Sequence, residues 1–570
     1  MLIQTWCLFL EAALYLKKLG YNDSLSMLYH RFRQLAACFL PVWSFLPSVV
    51  FTQAPPGFNF DSACSSLTSK LHIPNATVFA ATLIAGGSII SFPDTDASCA
   101  AAPQLVPEDV CRVTMFVATS ERSGINMEAW LPRNWTGRFL STGNGGLAGC
   151  IQYVDMAYAS GLGFATVGAN NGHNGTSGQP FLNNAEVVED FAFRSVHTNV
   201  IVGKEVTRAF FGVPHTKSFW LGCSTGGRQG LKSVQDFPED FDGVVAGAPA
   251  ADWNHLMDWS GNFFLITGPS SAPTFLTLTQ WFDAVNPDIL KQCDGIDGVT
   301  DEIIEDPNLC NYDPSGLICG PGQDNTTCIT TTQAETIKKV FSPFFIDGKL
   351  AFPRYQPGSV STTSALLISG AVFPFTADWF RFVVFNNPNF DVSTLNESSF
   401  ALAQQLDPFH ISTFKGDISA FKDRNGKLLT YHGQADSLIS PINSERYYNI
   451  VSDTMNLHPS QLDDFYRFFR ISGMGHCSGG NGAWEIGQTL PGAANTVTPG
   501  SPSLDPEMNV LMAMVRWVEE GIAPDTVLGT KFVNDDPASG VQFSRRHCRF
   551  PKRTTFVGDD STKPDSWTCV

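Results

Sequence analysis

Residues 221–230 read LGCSTGGRQG, and within them Gly222-Cys223-Ser224-Thr225-Gly226 fits the pattern G-x-S-x-G. The apolar run SFWL stands before the motif and the helix-like RQGLKSVQDF after it. Glycines on each side permit a sharp strand-to-helix turn that lifts the serine hydroxyl above a sheet. The same turn leaves the N–H of the next residue, Thr225, free for an oxyanion. Short matches of this kind also arise by chance in long glycine-rich chains, so the motif needs partners.

A serine hydroxyl attacks only when a base takes its proton, and that base needs a carboxylate to fix its tautomer and steady the imidazolium. Asp436 follows the strand-like KLLTYHG, and His476 lies in GMGHC, residues 473–477, after the apolar YRFFRIS. Ser224, Asp436, His476 is the chain order of the α/β-hydrolases. Both later residues fall where strands end, the edge on which α/β sites are built. Taken singly, Asp436 reads as well as a turn cap and His476 as a buried structural histidine. The cysteines decide between these readings. If Ser224 and His476 are neighbours, Cys223 and Cys477 are adjacent by construction, and a bond between them ties the two loops together.

Residues 113–250 rotate strand-like runs, glycine turns and helical stretches, which signifies a mainly parallel sheet. The texture returns at GKLLTYHGQAD, residues 426–436. Residues 252–410 lack it and carry four cysteines, an acidic loop and long aromatic runs. The expected architecture is an α/β-hydrolase fold in two parts, 53–251 and 411–570, with a large inserted lid domain over 252–410.

Charge and cysteine usage bound the setting. A net charge of -18 and the lack of any Lys/Arg run with interleaved aromatics exclude a nucleic-acid partner. Fourteen cysteines, none in C-x-x-C form, indicate a disulfide framework and an oxidising compartment. His30, Arg31 and Arg33 precede the apolar LAACFLPVWSFLPSVVF, residues 35–51, which reads as a signal peptide over 27–52. Residues 1–26 then read as a spurious upstream extension; an N-terminal helix pair is the other reading. Two prolines and the shortness of the run favour a cleaved signal over an anchor, so the mature form is expected to be extracellular with no membrane segment. Asn75, Asn134, Asn174, Asn325 and Asn396 stand in Asn-x-Ser/Thr sequons, expected glycan sites in a secreted chain.

With Cys223-Ser224, Asp436, His476-Cys477 and the near-signature GCSTGGRQG in hand, the sequence resembles the tannase and feruloyl esterase family of secreted fungal enzymes. The resemblance runs from about Cys64 to Cys569. It implies Ser224 as nucleophile, His476 as general base and then acid, Asp436 as its orienting partner, and a Cys223–Cys477 disulfide. It also implies Gly145, in STGNGGLAG at 141–149, as the second oxyanion donor beside Thr225, where a plain glycine turn is the alternative. The loop CDGIDGVTDEI, residues 293–303, reads equally as a solvated acidic turn or a site for a hard cation. Resemblance tips it to structural calcium, held by Asp294, Asp297 and Asp301 side chains and by Val299 and Ile303 carbonyls. Near-neighbour spacing pairs Cys293 with Cys310, Cys319 with Cys328 and Cys548 with Cys569. Resemblance pairs Cys64 with Cys111 and Cys99 with Cys150, which leaves Cys7 and Cys38 in the N-terminal segment.

The activity so implied is that of a serine esterase that hydrolyses feruloyl and other hydroxycinnamoyl esters of plant cell-wall polysaccharide through an acyl-enzyme. A tannase, cleaving galloyl esters, is the alternative. The aromatic stretch FPFTADWFRFVVF, residues 373–385, suits a flat methoxylated ring better than a trihydroxylated one. A non-catalytic cell-wall binding glycoprotein would lack a triad member, and none is missing. A secreted serine peptidase of the same fold is disfavoured by the resemblance.

Overall fold

Apolar, β-rich runs such as KSFWLGC and KLLTYHG form strands buried along nearly their whole length, as strands covered on both faces must be. The computed structural model describes residues 55–323, 328–488 and 504–570; the expected signal segment, the extension before it and Asn325 lie outside these. Nine strands build the main sheet. They are β1 (Ala76–Ile84), β2 (Val110–Ala118), β3 (Gly124–Pro132), β4 (Arg138–Thr142), β5 (Ala165–Ala169), β6 (Lys217–Cys223), β7 (Gly243–Gly247), β8 (Lys427–Gly433) and β9 (Tyr466–Ile471). Their spatial order is β1-β2-β3-β5-β4-β6-β7-β8-β9. The first three pairings are antiparallel. All pairings from β5 through β9 are parallel.

Six helices matter for the site: α1 (Tyr153–Gly161), α2 (Ser195–Phe211), α3 (Thr225–Asp236), α4 (Trp253–Thr267), α5 (Ile442–Met455) and α6 (Val510–Glu520). Successive strand residues point to opposite faces, so Trp220 and Leu428 join one core while Phe219, Leu221 and Leu429 join the other. Helices α2, α3 and α5 cover the first face. Helices α1 and α6 cover the second. This helix-coated sheet, parallel from β5 through β9, is the α/β-hydrolase architecture.

Between β7 and β8 the chain adds no strand to the main sheet. Instead α4 begins a helical insertion whose own apolar core includes Trp259, Trp281, Trp379 and Phe400. Leu147, Phe181 and Phe191 from the first part of the chain share that core, so the insertion is seated on the sheet domain by apolar packing. The described residues hold six disulfides: Cys64–Cys111, Cys99–Cys150, Cys223–Cys477, Cys293–Cys310, Cys319–Cys328 and Cys548–Cys569. No helix among the described residues is long and apolar enough to cross a membrane.

Candidate active site

Ser224 sits between β6 and α3 with φ 64° and ψ −122°, backbone values a serine adopts only under constraint. Its N–H donates to Gly247 O at 3.0 Å and its carbonyl accepts from Ala250 N–H at 3.0 Å, which pins the turn from both sides. The flanking glycines are required by contact: a Cβ on Gly222 would lie 2.9 Å from the Gly226 carbonyl carbon. No other residue type lets strand and helix approach so closely. Ser224 Oγ makes no hydrogen bond to another described residue. Such contacts often tighten only when substrate is bound.

The loop after β4 supplies the facing wall. Its Gly143 N–H is engaged by Leu221 O at 3.1 Å and its Asn144 N–H by Gln229 Oε1 at 3.0 Å. Gly145 and Gly146 line the same cavity as Ser224 and Thr225. A Cβ on Gly145 would meet nothing within 4 Å, so this backbone faces open space. Thr225 Oγ1 donates to Gly146 O at 2.7 Å and locks the loop onto the start of α3. Thr225 and Gly145 thus border the cavity beside Ser224 on its two neighbouring loops.

Asp436, past the end of β8, is fully buried and accepts four hydrogen bonds. Its Oδ1 takes the N–H groups of Leu438 at 2.8 Å and Ile439 at 2.9 Å. Its Oδ2 takes His476 Nδ1 at 2.8 Å and His432 Nε2 at 3.0 Å. Burial alone pushes this carboxyl up, but the His476 charge and the hydrogen bonds from both histidines outweigh it and hold Asp436 well below the usual carboxylate range. With Nδ1 donating to Asp436, His476 keeps Nε2 as the base. His476 lies past the end of β9 and lines the cavity with Ser224. The Cys223–Cys477 bond joins their chain neighbours with Cα atoms 6.0 Å apart.

His432 escapes a sequence reading, because inside KLLTYHG it looks like one more buried strand residue. It lies at the end of β8, four residues before Asp436. Its Nε2 faces two acceptors, Asp436 Oδ2 and Ile439 O, so the proton is there; its Nδ1 then accepts from the Ser444 hydroxyl of α5 at 2.7 Å. The imidazole thus helps hold the Asp436 carboxylate in place and shares the oxygen that His476 uses. His432→Phe is expected to lower kcat about tenfold with little change in KM, since a hydrogen bond to a charged group is removed. His432→Gln, which can still donate, should recover most of that loss; a kcat equally low in both variants, or a loss that falls on KM instead, counts against this role.

The cavity over Ser224 encloses about 370 Å³. Trp253, Leu256 and Met257 of α4 and the rings of Phe373 and Phe375 form its apolar part, with Ser260 of α4 beside them. Two of the aromatics in the 373–385 stretch therefore face the nucleophile.

Of the acidic loop, Asp294 is buried and accepts from the backbone N–H groups of Glu302 at 3.0 Å and Ile303 at 3.2 Å. Asp297 Oδ1 takes Val299 N–H at 3.0 Å. Asp301 pairs with the buried guanidinium of Arg545 at 2.6 Å, a partner from the C-terminal segment that spacing could not reveal. Among the described residues no three acidic, histidine or cysteine side chains gather as a metal group. The loop also reaches the histidine loop, since Ile303 packs against Gly473, where a Cβ would come within 3.1 Å of it. Asn75, Asn134, Asn174 and Asn396 are all exposed.

A strained serine at a strand-to-helix turn and a histidine on a buried carboxylate, both lining one cavity at the carboxyl edge of the parallel strands, define a serine-dependent carboxylic ester hydrolase. Residues 110–570 match the tannase and feruloyl esterase family, and the chain belongs to it. It is 52% identical over 513 residues, 90% of this chain and 96% of the other, to a protein of Aspergillus oryzae named probable feruloyl esterase B-2. The crystal structure of feruloyl esterase B from Aspergillus oryzae is 49% identical and superposes with a TM-score of 0.86, covering 90% of this chain and all of that one (100%). Tannin acyl hydrolase from Aspergillus niger shares the fold at 21% identity and a TM-score of 0.68, over 90% of this chain and 95% of its own.

Proposed function

We propose that this enzyme hydrolyses feruloyl and related hydroxycinnamoyl esters of plant cell-wall polysaccharide, outside the cell. The observation that carries the reading is the largely apolar cavity lined by α4 and by Phe373 and Phe375 together with Ser224, which suits an aromatic acyl group. Ser224 Oγ attacks the ester carbonyl as His476 Nε2 takes its proton, and Thr225 and Gly145 N–H groups receive the oxyanion. His476 then protonates the departing sugar alcohol. Water, deprotonated by the same imidazole, cleaves the acyl-enzyme and frees the acid. Assays of methyl ferulate, caffeate, sinapate and gallate side by side test the reading; gallate as the best substrate would replace it with that of a tannase.

Secretion and glycosylation belong to the same proposal. Six disulfides require an oxidising compartment, and four exposed sequon asparagines are open to glycan transfer. A lower mass after glycosidase treatment of the secreted enzyme is the expected result.

Calcium in the 293–303 loop is likewise proposed. The loop offers oxygen donors of the type a hard cation takes, and Asp297 Oδ2 is buried with no hydrogen-bond partner among the described residues. Asp294, Asp297 and Asp301 carboxylates with the Val299 and Ile303 carbonyls would hold it. Bound there, the ion supplies only rigidity. Because Arg545 already neutralises Asp301, chelation should lower Tm by only roughly a few degrees. Purified protein without stoichiometric calcium, and with Tm indifferent to EDTA, rules this out.

A further inference from the structure

Helix α4 shows the cavity a face of residues Trp253, Leu256, Met257 and Ser260, spaced i, i+3, i+4 and i+7. Ser260 is the one aliphatic hydroxyl on this face. It is 1% exposed, and its Oγ has no hydrogen-bond partner. A buried helical serine ordinarily returns its hydroxyl to the carbonyl four residues back, here Leu256, and this one does not. An orphaned hydroxyl in an otherwise oily wall is unfavourable in the free enzyme and calls for a partner.

Its place along the cavity says which partner. Ala250, just before α4, donates to the Ser224 carbonyl, so the start of the helix is anchored at the nucleophile. Ser260 lies seven residues beyond Trp253, about 10 Å along the helix axis. Trp253 Nε1 is also without a partner, but that ring is packed edge-on against Phe191 and Trp379 at the anchored end. Phe375 borders the oxyanion loop, since a Cβ on Gly146 would strike its ring at 2.5 Å. Thr376 Oγ1 donates to Met257 O at 2.9 Å, which fixes the phenylalanine wall to α4.

We propose that Ser260 determines acyl specificity by hydrogen-bonding the ring hydroxyl of the hydroxycinnamoyl group, an inference that rests on the hydroxycinnamoyl reading above. With the carbonyl at Ser224 and the ring between the phenylalanines and Leu256/Met257, the propenoyl arm carries the phenolic oxygen toward the third turn of α4. Rotation about the single Cα–Cβ bond turns Oγ to it, and the hydroxyl serves as donor or acceptor. A galloyl ring, joined straight to its carbonyl, holds its hydroxyls closer to Ser224 by the length of the two-carbon arm and leaves Ser260 unpaired.

The test compares methyl ferulate with methyl cinnamate, which lacks ring substituents, in wild type, Ser260→Ala and Ser260→Cys. Alanine suits a helix interior, and cysteine keeps the volume while bonding only weakly. Both variants should lose about tenfold in kcat/KM on ferulate, the scale of one buried hydrogen bond, and stay within about twofold on cinnamate. Equal losses on the two esters, or none on ferulate, overturn the inference while the esterase reading stands. A wild-type enzyme that cleaves neither ester sinks the hydroxycinnamoyl reading and this inference together.

Discussion

Ser224→Ala is expected to reduce hydrolysis of a soluble cinnamate ester by at least about 10⁴-fold while the protein folds and melts as before. In the proposed mechanism the hydroxyl is the attacking atom, and Ser224 lines the same cavity as His476, the residue hydrogen-bonded to Asp436. The fold should tolerate the change, because the strained turn at φ 64° is imposed by the hydrogen bonds to Gly247 and Ala250 and by the Gly222–Gly226 contact rather than by the side chain. His476→Ala should fall to a similar floor. The double variant should be no slower than either single one, since a nucleophile without its base and a base without its nucleophile are equally idle. Retention of even a tenth of wild-type turnover by Ser224→Ala, measured in enzyme freshly purified away from host esterases, contradicts the assignment.

The elbow was legible because its signal is local: a strand, two glycines around a serine and a helix lie in one contiguous stretch. Asp436 and His476 were legible through order, and through cysteines that only make sense if the two loops meet. What stayed hidden is contact made across the chain. The insertion of β5 between β3 and β4 depends on pairings with no sequence mark. His432 and Arg545 are ordinary strand residues until the fold lays one on Asp436 and the other on Asp301. The acidic loop shows the same limit from the other side. Spacing counts its carboxylates but says nothing of Asp294 turning to backbone N–H groups. Ser260 is the sharpest case, for a serine in WNHLMDWSGNFFLIT is unremarkable until packing leaves its hydroxyl alone beside the nucleophile's cavity.

Replacing Cys223 and Cys477 together by Ala should cost on the order of a hundredfold in kcat, a larger proportional loss than in folding yield. The bridge closes a sequence separation of 254 residues, and chain-entropy reasoning allows it at most about 5 kcal/mol of stability. Yet the two loops are also held by the parallel sheet, since β6 and β9 flank β7 and β8 in one continuous ladder, and five other disulfides remain. What the sheet does not hold is the conformation of the residues past the strand ends. The Ser224 turn is pinned by its own backbone hydrogen bonds, but Cys477 at φ 63° is left-handed and non-glycine and carries the bridge itself, so the disulfide clamps a turn beside His476 that would relax toward commoner backbone angles if released. Relaxation by about 1 Å would move Ser224 Oγ out of line with His476 Nε2, the displacement to which a proton-transfer pair is most sensitive. Turnover at low temperature, where the variant is fully folded, separates the two roles. A variant that melts lower yet turns over normally there assigns the bridge to global stability alone. Peptide mapping without reduction checks the premise: one linked species should contain both GCSTGGR and GMGHC, and free thiols at the two positions would defeat the clamp outright.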